Sequence, residues 1–385
     1  MSDLHRFLNL HDFERAAQKK LPRPLWAYLS GAVEDNAGAR MNREAFARYG
    51  FLPRALVDVS KRTLDIELMG ETFTAPFGIA PMGLSAMMAY EGDLTLARAA
   101  AKAGIPMVLS GASLTRMEDV LAANPNAWFQ AYLPAQDDAR EKLVRRALRT
   151  GFKTLVVTVD VQIAANRENN MRAGFSMQMR PTPSLAWQGI SHPSWLFGTF
   201  ARTLINHGMP HFENNYEHRG APVLSASVQQ SYMDRGHLTW QHLARIREIW
   251  PHRLVVKGIL HPQDAKQAVD IGAQGLIVSN HGGRQLDGAI SGLQALPLVL
   301  SAVPREVEVM IDGGIRRGTD VAKALALGAR CVFVGRPMLF AAAARGQPGV
   351  ERAIELLRQE ISRNVAMLGV SHCHDLSANE HLVAL

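Results

Sequence analysis

The sequence is poor in cysteine, and its cysteines are not arranged to bind a metal. Cys331 and Cys373 are the only two among 385 residues, and neither belongs to a CxxC or Cys/His spacing. A metal site is therefore not expected, and so low a cysteine content is typical of a reducing compartment. Cys331 lies in an apolar run, which predicts a buried thiol.

Long apolar runs and blocks of like charge are missing as well. No uncharged apolar stretch reaches the ~18 residues that a membrane-spanning helix needs. The N-terminus MSDLHRFLNLHDFERAAQKK contains acids and lacks the apolar core of a signal peptide. The formal net charge is +7, yet Lys and Arg are spread along the chain, which disfavours nucleic-acid binding. We expect a cytoplasmic globular protein.

Eight short apolar runs recur along the chain and alternate with helical patterns. Each run is too short for a helix and is typical of a strand buried on both faces. The runs are FGIA (77–80), IPMVL (105–109), AWFQA (127–131), TLVVTV (154–159), LVVK (254–257), GLIVS (275–279), VEVMI (307–311) and RCVFV (330–334).

Amphipathic segments between these runs are followed by glycine, the usual signal at a helix C-terminus. The segments are 92–103, 137–149, 262–271 and 319–327, and the glycines are Gly104, Gly151, Gly272 and Gly328. The alternation predicts an α/β fold, a parallel (β/α)8 TIM barrel. A doubly wound sheet is the alternative, but it normally has fewer repeats.

Two segments lie outside this repeat. Residues 1–50 are predicted to form helices before the barrel, interrupted at LPRPLW. Residues 161–250, after the fourth strand, are too long for a single connection and end in a predicted helix near 239–250. We expect one domain over 1–385, with an N-terminal helical segment and an insertion loop at 180–220.

Functional side chains of a barrel follow the carboxyl ends of its strands. The turns after the last two strands combine glycine with a cation, at Arg316 and Arg336. Backbone N–H groups and guanidinium groups attract an anion, so these turns predict a phosphate site. Ordinary tight turns are the alternative.

A second group of residues follows the sixth strand. His281 is suited to act as a general base near neutral pH, and Arg284 to hold a carboxylate with two parallel hydrogen bonds. Gly282 and Gly283 are consistent with a close approach of the backbone to a ligand. The alternative is a structural histidine, but a place at a strand end favours catalysis.

Two more charged residues end buried strands. Lys257 needs an anionic partner, either within the barrel or on a cofactor that becomes anionic. Asp160 either orients His281 or caps a helix. Walker, HExxH and strand-associated GxGxxG motifs are absent, so a nicotinamide-binding domain is not supported.

Several stretches together resemble the FMN-dependent 2-hydroxy acid dehydrogenases and oxidases, a family that includes mandelate and lactate dehydrogenases. The resemblance extends from about Asp12 to Gly369. The stretches are SNHGGRQLDG (279–288), VKGIL (256–260), TVD (158–160), FQAYLP (129–134), LPRPLWAYLSGAVED (21–35) and IDGGIRRGTDVAKALALGA (311–329).

The resemblance implies that FMN is bound and that an (S)-2-hydroxy acid is oxidised to the 2-oxo acid. It implies that His281 is the base, with Asp160 as its partner, and that Lys257 lies beside the flavin. The implied substrate-binding residues are Tyr28, Tyr132, Arg167 and Arg284, of which Tyr132 also belongs to the catalytic group. The implied flavin contacts are Pro81, Met82, Gly83, Ser110, Gln130, Thr158, Ser279, Asp312, Gly314, Arg316, Gly335 and Arg336.

Three positions depart from the family pattern. Met82 replaces a threonine that is common beside the flavin, and Gly83 stands where oxidases usually have alanine and the mandelate type has glycine. Ala112 replaces the tryptophan of glycolate oxidase and leaves more room for a substrate side chain. These residues favour a dehydrogenase for a bulky or aromatic, mandelate-type acid. The alternatives are an L-lactate dehydrogenase and an oxidase that uses O2.

Two hypotheses of other classes stay open on the residues alone. One is a barrel isomerase or aldolase for a phosphorylated sugar, with Lys257 forming a Schiff base. The other is a non-catalytic barrel that binds an anion, which leaves the convergence of His281, Asp160, Lys257 and Arg284 unexplained.

The insertion mixes aromatic and basic residues, a composition that suits a bilayer interface. These residues are Arg180, Trp187, Trp195, Phe197, Phe200, Arg202, His207, His211, Phe212 and Arg219. The resemblance implies membrane attachment here, a peripheral location on the inner face of the cell membrane, and transfer of electrons to quinone or another respiratory acceptor. An active-site lid is the alternative. The resemblance also implies a homo-oligomer, a tetramer.

Overall fold

Parallel strands form the centre of the molecule. The computed structural model describes residues 3–175, 182–223 and 235–385. In chain order the strands are β1 (Tyr49–Phe51), β2 (Ile66–Leu68), β3 (Glu71–Phe73), β4 (Phe77–Ile79), β5 (Val108–Ser110), β6 (Trp128–Ala131), β7 (Thr154–Thr158), β8 (Arg253–Ile259), β9 (Gly275–Val278), β10 (Glu308–Asp312), β11 (Val332–Val334) and β12 (Leu382–Ala384).

Strands β4 to β11 form a single sheet in the order β4-β11-β10-β9-β8-β7-β6-β5, and all pairs are parallel. A parallel bridge between Ile79 and Met107 connects its two edges, and the Ile79 N–H donates to the Pro106 carbonyl at 2.9 Å. The sheet is therefore a nearly closed barrel, which confirms the predicted fold class. Strand β5 begins later than predicted, at Val108, because the preceding Pro106 has no N–H for the ladder.

Helices surround the barrel and join its strands, including the four that were predicted. The α-helices are Leu10–Lys20, Arg23–Ser30, Ala37–Ala47, Ser85–Met88, Gly92–Ala103, Met117–Ala123, Asp137–Thr150, Glu168–Arg172, Pro183–Ile190, Pro193–Trp195, Arg202–His207, Trp240–Ile249, Pro262–Asp270, Gly292–Leu300, Gly318–Ala326, Arg336–Met367 and Ala378–His381. Short 3-10 turns cover Asp3–Arg6 and Cys373–Asp375, and a π-helical turn covers Leu196–Ala201. Gly104 and Gly151 cap their helices in the left-handed conformation, at φ 64° and 106°.

The barrel interior is filled with side chains. Trp128 on β6 and Phe333 on β11 are both buried, and their ring centroids lie 5.6 Å apart although the two strands are not neighbours. Burial of such a side chain contributes roughly 1.5–3 kcal/mol, so these contacts stabilise the barrel against collapse or opening. Cys331 is buried and free, as its apolar surroundings predicted.

The N-terminal segment is helical, as predicted, and is docked onto the barrel. Its first helix, Leu10–Lys20, packs against the long helix Arg336–Met367. Its third helix, Ala37–Ala47, lies over the loop after β9, where the Gly38 N–H donates to Asp287 Oδ1 at 2.8 Å. The segment therefore reaches the end of the barrel that carries the predicted site.

Two small sheets were not predicted. Strand β1 pairs antiparallel with β12, and β2 pairs antiparallel with β3. Each of these strands has only three residues, and a polar residue or glycine interrupts β1, β2 and β3, so only β12 is continuously apolar in the sequence.

The insertion is largely helical in its described part, whereas a loop was predicted. Trp195 is only 7% exposed and donates its indole N–H to the Met87 carbonyl at 2.8 Å, and Phe212 is buried. Trp187 and Phe197, by contrast, are 66% and 70% exposed. The aromatic residues thus divide into an anchoring set and an exposed set. Arg180 lies outside the described residues.

Candidate active site

The carboxyl ends of the barrel strands surround a cavity of about 460 Å³, within the range of small-molecule sites. Most of the predicted site residues line it. They are Tyr28, Pro81, Met82, Gly83, Tyr132, Thr158, Arg167, Lys257, His281, Arg284, Asp312, Gly314, Arg316, Gly335 and Arg336. Ser110, Gln130, Asp160 and Ser279 lie behind this wall, in contact with residues that form it.

His281 is held by a carboxylate and faces a phenol. Its Nδ1 lies 3.0 Å from Asp160 Oδ1, and its Nε2 lies 3.5 Å from the Tyr132 hydroxyl. The backbone at His281 is left-handed, at φ 57°, and its N–H donates to Ser279 Oγ at 3.0 Å. Asp160 is not followed directly by a helix, since the next one begins at Glu168, so the capping alternative for Asp160 is wrong.

The electrostatics of this pair favour a neutral imidazole. Burial, together with the charges of Lys257 and Arg167, lowers the pKa of His281, although Asp160 acts in the opposite direction. Burial raises the pKa of the Asp160 carboxyl, but His281 and Lys257 outweigh it and the pKa lies below its usual range. The arrangement is therefore an ionised carboxylate orienting a neutral histidine, as a general base requires.

Lys257 forms a buried charged cluster at the end of β8. Its Nζ lies 2.9 Å from Asp312 Oδ2 and donates to Ser279 Oγ at 2.9 Å, while Ser279 Oγ donates to Asp312 Oδ1 at 2.6 Å. Burial opposes the charge, but Asp312 and Asp160 raise the pKa of Lys257. Lys257 is therefore a fixed cation in the cavity wall.

Gly258, next to Lys257, lets the end of β8 approach Asp160 closely. Gly258 has φ 100° and interrupts the register between β8 and β9. A Cβ on Gly258 would lie 2.7 Å from Asp160 Cβ, closer than real Cβ atoms approach. The bulge therefore brings the catalytic ends of β7 and β8 together.

The two arginines that were predicted to bind the substrate both line the cavity. Arg284 Nη1 donates to the carbonyls of Tyr28 and Gly31, each at 2.7 Å, and its Cζ lies 4.9 Å from the Tyr28 ring centroid. Arg167 Nη2 donates to Gln285 Oε1 at 2.9 Å. Burial and the neighbouring Arg167 lower the pKa of Arg284 to about 10, which leaves it charged at neutral pH.

The two predicted phosphate arginines are also buried at the cavity. Arg336 donates to the carbonyls of Leu29, Gly31 and Gly282 at 3.0–3.2 Å. Burial, with Arg284 and Arg316 nearby, lowers the pKa of Arg336 to about 9, and burial with Arg43 nearby lowers that of Arg316 to about 10. Like charges this close indicate a site built for an anion.

One glycine in each of the loops after β9 and β10 packs against the N-terminal segment, a role that was not predicted. A Cβ on Gly283 would lie 2.4 Å from Ala39 N, and one on Gly314 would lie 2.1 Å from Asn42 O. Both glycines therefore approach the backbone of helix Ala37–Ala47 too closely to carry a side chain. Both residues have positive φ, at 75° and 82°, which also favours glycine.

Two buried polar groups, one in the cavity wall and one behind it, point to a bound polar group. Gln130 Oε1 accepts from Ser110 Oγ and from the Gly111 N–H, both at 3.2 Å. Gln130 Nε2 and Thr158 Oγ1 have no hydrogen-bond partner within the described part of the chain. Because buried polar atoms are nearly always paired, these two point to a bound group with polar atoms.

The wall beside these groups is small and apolar. A Cβ added to Gly83 would lie 2.9 Å from Ala112 Cβ and 3.4 Å from the Tyr28 hydroxyl. Gly83 and Ala112 are therefore in contact, and together they set the width of the cavity at this point.

Three residues of the site had no predicted role. Gln285 connects Arg167 to the backbone carbonyl of Asp160, to which its Nε2 donates at 3.1 Å. Asn280 accepts from Asn42 Nδ2 at 2.7 Å and so fixes the N-terminal segment to the loop after β9. Arg235 lines the cavity, but its position after a long insertion gave no sequence signal.

Fold and site together are those of a barrel enzyme that binds an anionic cofactor and a small carboxylic acid. The model of the FMN-dependent dehydrogenase family matches residues 17–384, and the chain belongs to that family. The predicted family and the predicted cofactor, FMN, are thereby confirmed, and the aldolase and non-catalytic alternatives are set aside.

Several relatives cover almost the whole chain. (S)-mandelate dehydrogenase from Pseudomonas putida is 39% identical over 372 residues, which are 96% of this chain and 92% of the relative. L-lactate dehydrogenase from Vibrio cholerae serotype O1 is 36% identical over 378 residues, or 95% and 96% of the two chains. L-lactate oxidase from Nostoc sp. is 36% identical over 377 residues, 97% of each chain.

A solved structure supports the same conclusion. The crystal structure of the monotopic membrane protein (S)-mandelate dehydrogenase matches with a TM-score of 0.89 at 38% identity and covers 98% of this chain and 99% of that one. The protein is thus an FMN-dependent oxidoreductase that oxidises 2-hydroxy acids.

Proposed function

We propose that the enzyme oxidises (S)-2-hydroxy acids with bulky side chains, of the mandelate type, and passes the electrons to quinone or another respiratory acceptor. The observation that carries the proposal is the placement of the His281–Asp160 pair in one cavity with Arg284 and the small wall of Gly83 and Ala112. This combination provides a base, a carboxylate site and space for a side chain.

The residues that would hold FMN follow from their positions. Arg316, Arg336 and the backbone at Gly314 and Gly335 would bind its phosphate, and Asp312 its ribityl chain. Pro81, Met82, Gly83, Thr158 and Lys257 line the same cavity and would contact the ring. Gln130 Nε2 would supply a further hydrogen bond, with Ser110 and Ser279 positioning Gln130 and Lys257 rather than touching the ring. When bound, FMN supplies the acceptor for two electrons.

His281 is proposed to remove a proton from the substrate through Nε2, because Asp160 occupies Nδ1. The ionised Asp160 then stabilises the imidazolium that forms. Tyr132, at 3.5 Å from His281 Nε2, would hold the substrate hydroxyl near that nitrogen. Burial and the charge of Asp160 raise the pKa of Tyr132 to about 12, so its hydroxyl remains a donor throughout.

Arg284 and Arg167 would bind the substrate carboxylate and fix the reacting carbon near His281. Tyr28 supports this arrangement, since it stacks under Arg284 and its hydroxyl faces the wall at Gly83. Lys257 keeps a positive charge at the wall, where it stabilises the negative charge that arrives with the electrons.

The size of the wall supports a bulky side chain. Gly83 and Ala112 carry little or no side chain, and the adjoining lining is apolar at Val161, Ile163 and Phe175. Apolar surroundings of this kind favour an aryl or large alkyl group over the methyl group of lactate.

The exposed face of the insertion supports contact with a membrane surface. No helix within the described ranges is long and apolar enough to cross a bilayer. Trp187, Ile190, Phe197 and Ile205 nevertheless present large apolar side chains to solvent. None of the described residues 182–223 lines the cavity, which favours an interfacial anchor over a lid.

The test is a panel of substrates with the flavin-loaded enzyme. Under anaerobic conditions, (S)-mandelate and L-lactate are compared by the rate at which they bleach the flavin absorbance, and reoxidation is then followed with O2 and with a quinone analogue. We expect faster bleaching by (S)-mandelate and faster reoxidation by the quinone. Preference for lactate contradicts the proposed substrate, and rapid reoxidation by O2 contradicts the proposed acceptor.

A further inference from the structure

Six arginine and lysine side chains line the described part of the cavity, and the proposed function uses five of them. Two are assigned to the cofactor phosphate, two to the substrate carboxylate, and Lys257 to the flavin ring. The six are Arg167, Arg235, Lys257, Arg284, Arg316 and Arg336. Arg235 is the one that neither the cofactor nor the substrate carboxylate requires.

Arg235 lies next to the catalytic group. Its side chain is only 5% exposed, and its guanidinium carbon lies 5.0 Å from the centroid of the Tyr132 ring. The Tyr132 hydroxyl in turn lies 3.5 Å from His281 Nε2. A single aromatic ring therefore separates Arg235 from the proposed base.

The backbone around Arg235 is anchored to the barrel. The Leu238 N–H donates to the Arg235 carbonyl at 3.0 Å, and His237 Nε2 lies 3.1 Å from the Ala135 carbonyl in the loop after β6. Arg140 Nη1 donates to that same carbonyl at 2.9 Å and so fixes the loop. These hydrogen bonds hold the turn that carries Arg235 against the loop after β6, which also carries Tyr132.

The charge of Arg235 affects the electrostatics of the catalytic group. It lowers the pKa of Tyr132, against the larger effects of burial and Asp160, which raise it. Phe175 in the same cavity is apolar and buried, and where solvent is excluded a cation attracts an anionic group more strongly. A guanidinium also offers five N–H donors in one plane, which match the two oxygens of a carboxylate.

Two arginine–tyrosine pairs thus line the cavity. Arg284 lies over Tyr28, and Arg235 lies over Tyr132. The first pair belongs to the proposed site for the substrate carboxylate. The second lies in the same cavity, beside the Tyr132 ring, and has no ligand assigned in the proposed function.

We propose that Arg235 determines specificity by binding an anionic group on the substrate side chain, so that the preferred substrates are (S)-2-hydroxy acids with a second carboxylate. The inference rests on the proposed function, because it takes the base and the first carboxylate site as given. It narrows the bulky acids to those whose side chain ends in an acid.

The experiment compares matched substrates with the wild-type holoenzyme and with variants. One pair is (S)-mandelate and its 4-carboxy derivative. The other is (S)-2-hydroxy-4-methylpentanoate and (S)-malate, in which an isopropyl group and a carboxylate have nearly the same shape. The variants are Arg235→Gln, Arg235→Lys, and Arg245→Gln as a control on an exposed arginine that pairs with Glu141 and Glu248.

We expect the wild type to favour the diacid of at least one pair. In Arg235→Gln the ratio of kcat/KM, diacid over monoacid, should fall about tenfold to a hundredfold, mainly through KM, since one charged hydrogen bond is lost. Arg235→Lys should keep part of the preference and Arg245→Gln all of it. Flavin absorbance shows that each variant is loaded and folded.

Other outcomes overturn the inference. An unchanged ratio in Arg235→Gln excludes a contact with the second carboxylate. An equal loss for both members of a pair shows that Arg235 only supports Tyr132. Failure of every acid to bleach the flavin of the wild type contradicts the proposed function itself, and is thereby distinguished from failure of this proposal.

Discussion

His281 Nδ1 lies 3.0 Å from Asp160 Oδ1, and a second contact to Oδ2 at 3.2 Å makes the carboxylate nearly symmetric about the ring nitrogen. The two residues are 121 positions apart and follow β9 and β7, which are separated in the sheet by β8. The pair therefore depends on the side-by-side pairing of β7, β8 and β9, and it fixes which nitrogen of His281 is available to a substrate.

Replacing Asp160 by Asn should slow flavin reduction about 10²–10⁴-fold, because an amide neither stabilises the imidazolium nor ensures the right tautomer. Asp160 raises the pKa of His281, so its loss lowers that pKa further. The base acts unprotonated, so the rise of kcat/KM with pH should move to lower pH in the variant. Stopped-flow reduction across pH 5–9 measures both effects. Asp138→Asn, at an exposed carboxylate, is the control. A pH profile of Asp160→Asn identical to that of the wild type would contradict the role of Asp160 as the partner of His281.

Lys257→Met should cost about 3–5 kcal/mol in the free energy of unfolding, because Asp312 is left buried without its cation. The double variant Lys257→Met/Asp312→Asn should recover part of that loss, since no net charge then remains in the cluster. Thermal unfolding of Lys257→Met, Asp312→Asn and the double variant, with flavin content measured in parallel, gives the coupling energy between the two residues. Strict additivity of the two changes would show that the pair is not coupled.

Gly83→Ala should narrow the cavity, because the new Cβ would lie 2.9 Å from Ala112 Cβ. The ratio of kcat/KM for (S)-mandelate over L-lactate is expected to fall about tenfold or more, the usual effect of one methyl group in a fitted pocket. Gly198→Ala is the matched control, since nothing lies within 4 Å of a Cβ at that position. If both substrates slow equally, Gly83 acts on the cofactor rather than on side-chain size.

Trp187→Ser with Phe197→Ser should shift the protein from the membrane fraction to the soluble fraction and leave oxidation with an artificial acceptor unchanged. Both side chains are exposed in the insertion, and their transfer to a bilayer interface is favourable. Leu56→Ser, at an even more exposed apolar residue outside the insertion, is the control. Retention of the double variant on vesicles would refute the anchor.

Asp93→Asn tests a buried carboxylate behind the substrate wall. Burial raises the pKa of Asp93 from 3.8 to about 6, although hydrogen bonds from Ser113, Ser85 and Thr115 oppose the change. The folded state thus binds the proton more tightly than the unfolded state. The resulting stability is complete below pH 3.8 and is lost as pH rises through about 6.

Ionised Asp93 therefore costs the fold about 3 kcal/mol at pH 8, and the non-titrating asparagine avoids this cost. Asp93→Asn should raise the unfolding temperature at pH 8, and its advantage should shrink as pH is lowered to 5. A gain that does not vary with pH would show that Asp93 is not the titrating group.

The barrel was predictable because its strands are buried on both faces and so appear as continuous apolar runs. Strands β6, β7 and β9 are buried at every residue, and each coincides with a predicted run. Strand β1 was missed because a glycine interrupts its three residues, and β12 because it is apolar but only three residues long and mostly exposed. Their pairing depends on contacts between the two ends of the chain, which local patterns do not report.

The site was predictable to the extent that its residues follow strand ends. His281, Lys257 and Asp312 satisfy that rule and meet in the cavity. Gly283 was assigned to a ligand, whereas the neighbour that excludes a side chain is Ala39 of a helix far away in sequence. Arg235 was missed for the same reason, since its contact with Tyr132 arises from the docking of one loop on another.

The last turn of helix Arg23–Ser30 offers two backbone carbonyls as hydrogen-bond acceptors. The carbonyl of Tyr28 accepts from Arg284 and that of Leu29 from Arg336. The carbonyl of Gly31 accepts from both arginines. A helix thus directs its negative end at two cations that must also receive anionic ligands. For protein engineering, this makes the stretch from 21 to 47 a poor place to truncate, to graft a tag or to open a circular permutant. Ala112 and Arg235 lie outside that stretch, so the range of substrates can be redesigned there without altering the backbone that holds Arg284 and Arg336.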